Sequence, residues 1–295
     1  MSATPKVGGQ AVIEGVMMRH KNQLAIAVRK PDMQISIHEE TLKSAGDKYP
    51  FLKVPILRGM VAFVESLTLG TRALTISANQ AALEEEEELT GWQLTLTVGV
   101  ALLFGIGLFF FLPTIITRFL TSNITAKPIA LNLFEGLVRI SIFLAYLFAV
   151  SRLKDIQRVF AYHGAEHKSI ACFEAGEELT PANACKYTRL HPRCGTSFLL
   201  LVMAVSIILF SFFGWPGLVQ RLILRLTLLP LIAGISYELI QLAGRNRFFC
   251  YLTAPGLWLQ RLTTREPDEQ QLEVAIAALK AVLQHVKKRE VLDRV

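Results

Sequence analysis

Residues 94–116 of this chain carry no charged side chain. At 1.5 Å per residue, a helix of that length crosses the roughly 30 Å hydrocarbon core of a bilayer unaided. Three more apolar blocks follow. Residues 131–150 become fully apolar only after Arg139, residues 198–213 are short for a span, and residues 222–242 are joined to them through Gly214-Trp215-Pro216-Gly217. A hydrophobic content of 52% and a mean hydropathy of +0.40 over 295 residues agree with this blocking. The expected fold class is mainly α: a polytopic helical membrane protein of about four spans. Blocks three and four fit either a tilted pair of spans or a re-entrant hairpin. An even count places both termini on one side.

Charge chooses the side. Residues 151–196 contain Arg152, Lys154, Arg158, Lys168, Lys186, Arg189 and Arg193, whereas the loop after the first block has only Arg118 and Lys127. The segment after residue 242 is also basic, with Arg245, Arg247, Arg261 and Arg265. Both termini and the 151–196 segment are therefore expected on the cytoplasmic side. The first thirty residues lack the apolar core of a signal peptide, which fits an N-terminus that is never translocated. The formal charge of +7 is accounted for by basic residues flanking spans and facing anionic lipid, so the expected partner is the bilayer and not nucleic acid. Cys172, Cys185, Cys194 and Cys250 form no C-x-x-C pair and fall on the reducing side, which argues against a disulfide framework.

The chemistry concentrates in Tyr162-His163-Gly164-Ala165-Glu166-His167-Lys168. His-x-x-Glu-His on a helix sets two imidazoles four residues apart on one face, where both can ligate one divalent metal ion such as zinc. Glu166, one turn from His163, is then free to take a proton from metal-bound water. The order is that of the inverted zincins, and the plainer alternative is an exposed helix carrying polar residues. A second spacing, His-x-x-Cys in His191-Pro192-Arg193-Cys194-Gly195, could add a nitrogen and a thiolate, or be no more than a turn packed near the bilayer surface.

The chain divides into a cytoplasmic β-region over 1–54, an amphipathic or interfacial helical region over 55–91, a membrane domain over 92–242 that includes the cytoplasmic loop 151–197, and a cytoplasmic helical tail over 243–295. Gln23 to Lys30 and Met33 to Glu39 read as strands around a Pro31-Asp32 turn, with Gly9 to Met18 able to pair beside them. Gly8 to Gly15 is glycine-rich but lacks the Lys and Ser/Thr of a phosphate loop. Ile56 to Leu69 reads as a buried or interfacial helix, and 84–88 as an acidic, solvated helix end. Pro267, Asp268 and Glu269 start an amphipathic helix that closes on Lys287, Lys288 and Arg289.

Taken together, Gly8 to Arg19, Arg58-Gly59, Glu65-Ser66-Leu67, Glu135 to Arg139, His163 to Lys168 and His191 to Phe198 resemble the YqhQ-like bacterial membrane proteins along nearly the whole chain. The resemblance implies a bacterial cytoplasmic-membrane protein of a group described as predicted metal-dependent enzymes. It supplies no substrate.

Ionisable residues within apolar blocks give further candidates. Glu238, late in the fourth block, is costly there unless paired or bound to a cation. An inverted zincin takes a third, carboxylate ligand from a downstream helix, so Glu238 is the first choice for that role, against an ion pair with Arg245 or Arg247. Glu135 and Arg139 stand at i and i+4 and read as a charge pair. One tension remains. A straight continuation of the second block would lift His163 about 20 Å above the membrane edge, beyond the reach of Glu238. The helix must break or fold back, for instance near Gly164, or the third ligand must be His191, Cys194 or Glu14. The helix is expected to end at Gly176. The reaction expected of such a site is metal-assisted hydrolysis of a peptide, amide or lipid ester. The competing classes are a non-catalytic scaffold with a structural metal or none, and a transporter.

Overall fold

The computed structural model describes residues 5–82, 91–243 and 254–292. The acidic run 84–88, Cys250, Arg245 and Arg247 lie outside the described residues.

The N-terminal strands form an antiparallel meander in the order β1-β2-β3-β4: β1 Gly8–Val12, β2 Gly15–His20, β3 Gln23–Arg29 and β4 Ile35–Thr41. The stretch Gly9 to Met18, expected to be able to pair beside the later strands, does so as a hairpin, with Val12 opposite Gly15 and Glu14 at φ 49° in the turn. Both faces of the sheet are buried. On one, Val12, Met17, Leu24, Ile26 and Val28 meet Ala73 of helix α2, Leu57–Ala81, which follows the short helix α1, Ala45–Lys48. On the other, Val16, Met18, Ala25 and Ala27 pack on later helices. This two-residue alternation, sampled by a sheet covered on both sides, is why β3 is apolar at almost every position.

Among the described residues, three helices are long and apolar enough to cross a membrane: Thr95–Leu120, Pro128–Val150 and Leu218–Leu242. The first comprises α3 Gly91–Ile106, a π-helical turn Gly107–Phe111, and α4 Leu112–Leu120; the second is α5. The third block forms a shorter apolar helix, α8 Gly195–Phe210, so three of the four blocks have the length of a span. Next comes α9, Leu218–Ala243. Its Gly234 meets Gly59 of α2 so closely that a Cβ on Gly59 would stand 2.9 Å from the Gly234 Cα, which lets the two backbones cross in contact.

The expected break after the second block occurs at Ser151-Arg152-Leu153, before Gly164. Helix α6, Lys154–Glu174, starts there, and Gln157 Nε2 donates to the carbonyls of Ser151 and Arg152 left free by the break. Gly164 serves another purpose: the Arg265 carbonyl comes so near that a Cβ would stand 2.0 Å from it. At the other end, Gly176 has φ 76°, with Gly176 N–H donating to Phe173 and Glu177 N–H to Cys172, a Schellman cap as expected from the glycine.

After α7, Pro181–Ala184, and α8 and α9, the chain closes with α10 Ala254–Thr263 and α11 Glu269–Leu292. Asp268 Oδ1 accepts from Gln271 N–H while Gln271 Oε1 accepts from Asp268 N–H, a capping box that fixes the start of α11. The apolar face of α11 is packed into the core: Leu272, Val274, Ala275, Ile276, Ala278, Leu279 and Val282 are buried against β2, β3 and α6, while Glu273, Lys280 and Gln284 are exposed. Residues at both ends of the sequence thus enclose the helix that carries the histidine motif.

Candidate metal centre

Helix α6 supplies two imidazoles whose orientation is set by backbone. His163 Nδ1 lies 2.8 Å from the Thr263 carbonyl, and His167 Nδ1 lies 2.5 Å from the Arg189 carbonyl. A carbonyl only accepts, so each Nδ1 carries the proton and each Nε2 keeps its lone pair. The rings stand edge to face with centroids 4.5 Å apart. Cys194 Sγ is 3.2 Å from His163 Nε2, and no two ligand atoms of His163, His167 and Cys194 are more than 4.8 Å apart. Cys194 caps α8: its sulfur accepts from the Thr196 N–H and hydroxyl, donors that would hold a thiolate.

The loop bearing Cys194 is clamped. Gln260 of α10 accepts from the His191 N–H at 2.8 Å and donates to the His191 carbonyl at 2.9 Å. The His191 ring lies 5.6 Å from that of His167, and its Nδ1 accepts the Arg193 N–H. Arg193 in turn pairs with Glu174.

Glu166 lies behind the imidazoles, its Oε2 3.9 Å from His163 Nε2. Gly9 of β1 covers it: a Cβ there would fall 2.8 Å from the Glu166 side chain, and the Gly9 amide hydrogen-bonds the carboxyl. Burial pushes the Glu166 carboxyl up to about 7, opposed by His163. Burial also drives His167 down to about 3 and lowers His191, which favours the neutral imidazole that binds metal, and it raises the Cys194 thiol. Two nitrogens, one sulfur and an adjacent carboxyl suit a zinc-like cation by donor type, with imidazole protons already parked on carbonyls in the manner of metal-bound histidines.

Residues 54–285 match the family described as Protein of unknown function (DUF1385). The chain belongs to that family. It is also 35% identical over 295 residues to the Uncharacterized protein YqhQ of Bacillus subtilis (strain 168), covering 95% of this chain and 92% of the relative. No solved structure matches.

In this DUF1385 member, Glu238 is placed away from the imidazoles. It faces the start of α2, where Arg58 Nε and Nη2 donate to its two oxygens at 2.7 and 2.5 Å and the Ile56 N–H adds a third bond. The geometry therefore gives the place beside the histidines to the Cys194 sulfur and not to Glu238: α9 turns this carboxylate toward α2, and the fork of Arg58 holds both oxygens. Glu14, in the β1–β2 turn, is bound by Arg158 and by the Tyr162 hydroxyl. It is not among the three residues whose ligand atoms converge, His163, His167 and Cys194.

Glu135 and Arg139 do pair, at 3.0 Å, but within a larger network. Arg221 and Arg225 of α9 reach the same carboxylate, as does the Thr114 hydroxyl. Arg221 and Arg225 had a visible signal, two arginines at i and i+4 where the fourth block begins. The carbonyls of Thr263 and Arg189 had none, because a main-chain acceptor leaves no mark in a side-chain motif.

Proposed function

We propose that the chain is a multi-pass membrane protein that uses His163, His167 and Cys194 to hold a divalent cation at the cytoplasmic face, and that it hydrolyses a carbonyl-type bond there. The observation that carries this reading is the orientation of the imidazoles: both Nδ1–H groups are spent on main-chain carbonyls, and both Nε2 lone pairs are left beside one sulfur. A bound cation of this kind would supply an acidified water and polarise a carbonyl oxygen. Glu166, 3.9 Å from His163 Nε2, is positioned to accept a proton at Oε2 and return it to a leaving group. The Gly9 amide orients that carboxyl, and β1 limits its access to water. Because Cys194 is the cap of the apolar helix α8, the centre lies at the foot of the bilayer in this reading, which favours a membrane-borne substrate such as a lipid ester.

The second reading is a scaffold whose metal is structural. It draws on the His191 ring, 5.6 Å from His167, which could close a fourth position. Glu166→Gln separates the two. It keeps size and hydrogen bonding, so it should retain metal and fold, yet fail to complement a strain lacking the gene, as expected for a loss of about 10²–10⁴ in rate. Full complementation by Glu166→Gln, with His163→Ala failing, would leave only the scaffold.

Topology follows from the basic segment 151–196. Reporter fusions after Leu42 and after Phe173 should read cytoplasmic, and one at Asn123 external. An external signal at Phe173 would reverse the arrangement.

A further inference from the structure

At the end of the helical bundle away from the imidazoles, near the loops 121–127 and 211–217, three arginines surround one carboxylate. Glu135 Oε1 takes Arg139 at 3.0 Å and Arg225 at 2.7 Å, and Glu135 Oε2 takes Arg221. All four side chains are at most 11% exposed. Three guanidinium charges against one carboxylate leave a surplus of two. Nothing nearby in sequence offsets it: between residues 91 and 153 and between 195 and 243 the only other acid is Glu238, which is turned toward α2. Such a surplus is expensive in an apolar setting unless an anion shares it.

Neutral groups take up part of the donor capacity. Arg139 Nε donates to the Phe109 carbonyl in the π-helical turn, Arg225 to the Thr114 hydroxyl and Arg221 to Asn132, while the Arg221 guanidinium stacks over Trp215 at 3.6 Å. Arg221 Nη1 is nonetheless buried without a hydrogen-bond partner. Arg221 and Arg225 line a cleft between the first apolar helix and α9, walled by Phe110, Thr114, Leu218 and Leu222. The cleft is partly open, and its walls belong to helices that meet lipid in the membrane placement proposed above.

We propose that Arg221 and Arg225, backed by Arg139, bind a phosphate-type anion whose oxygen enters this cleft, with an anionic phospholipid headgroup as its source. A planar guanidinium that lines an apolar cleft and has a spare, buried N–H suits a phosphoryl oxygen, and Arg118 and Lys127 add positive charge at the same helix ends. The inference rests on the membrane placement and not on the metal centre, so failure of zinc binding leaves it standing.

The test uses the full chain in bilayer discs holding equal amounts of phosphatidylglycerol and phosphatidylcholine, with retained lipid read by native mass spectrometry. Phosphatidylglycerol should be retained over phosphatidylcholine by about tenfold. Arg225→Gln should erase that preference, and so should Leu222→Trp, which fills the cleft while leaving every charge in place. If inorganic phosphate raises the melting temperature of the wild type but not of Leu222→Trp, with no lipid preference, the site holds and its ligand is a soluble phosphate. Equal retention with no phosphate effect, or a preference undiminished in both variants, would overturn the proposal.

Discussion

His163→Ala and His167→Ala should each purify without stoichiometric metal while still inserting and folding. Structural zinc sites contribute about 10–16 kcal/mol, so an equal share is roughly 2.5–4 kcal/mol per ligand, or on the order of 10²–10³ in affinity for each donor removed. Removing either imidazole also orphans a main-chain acceptor, at Thr263 or at Arg189, a smaller loss of about 1 kcal/mol. Elemental analysis of protein purified from zinc-replete cells checks the result. Cys194→Ser adds a separate readout: in cobalt-loaded protein the thiolate-to-cobalt absorption should vanish while weaker binding persists. Metal content unchanged in both histidine variants would dispose of the centre.

The second large effect is on stability. Glu135→Gln removes the one carboxylate that Arg139, Arg221 and Arg225 share, leaving three buried guanidinium groups facing one another. Removing one partner of a buried ion pair costs about 3–5 kcal/mol, and here the partner serves three cations. Thermal unfolding in detergent should show the loss, and Glu135→Gln combined with Arg225→Gln should recover part of it, since the second change removes a cation that the first left unpaired. A double variant no more stable than the single one would mean that the arginines do not repel through this point.

Hydropathy made the long helices legible, because a bilayer-length apolar run has few alternatives. The strands over 23–39 were legible from alternation around Pro31-Asp32, and the helix ends at Gly176 and Asp268 from capping residues. The hairpin within Gly9 to Met18 was not: Glu14 adopts a positive φ that its side chain does not announce. Nor was the depth of α11, whose small residues Ala275, Ala278 and Ala281 look like an indifferent helix until three elements close around them. At the candidate site, the i, i+4 imidazoles and Cys194 could be singled out from spacing, while spacing carried no sign that Glu238 would lie against Arg58. Its partner Arg58 lies 180 residues earlier. A carboxylate in an apolar helix announces only that it needs a cation, not which one.

The Thr263 carbonyl that aligns His163 lies 100 residues after it, and the packing beneath α6 is supplied by α11, later still. At roughly 5–20 residues per second, a nascent chain exposes the histidine motif for about 5–20 s before that acceptor has even been made. Throughout this interval the His163 imidazole lacks the acceptor that aligns it, whereas the Arg189 carbonyl that aligns His167 and the Thr196 donors to the Cys194 sulfur are made earlier. In the function proposed above, capture of a cation by a fully aligned centre waits for α10, so that a chain stalled or cut before it would carry no reactive centre.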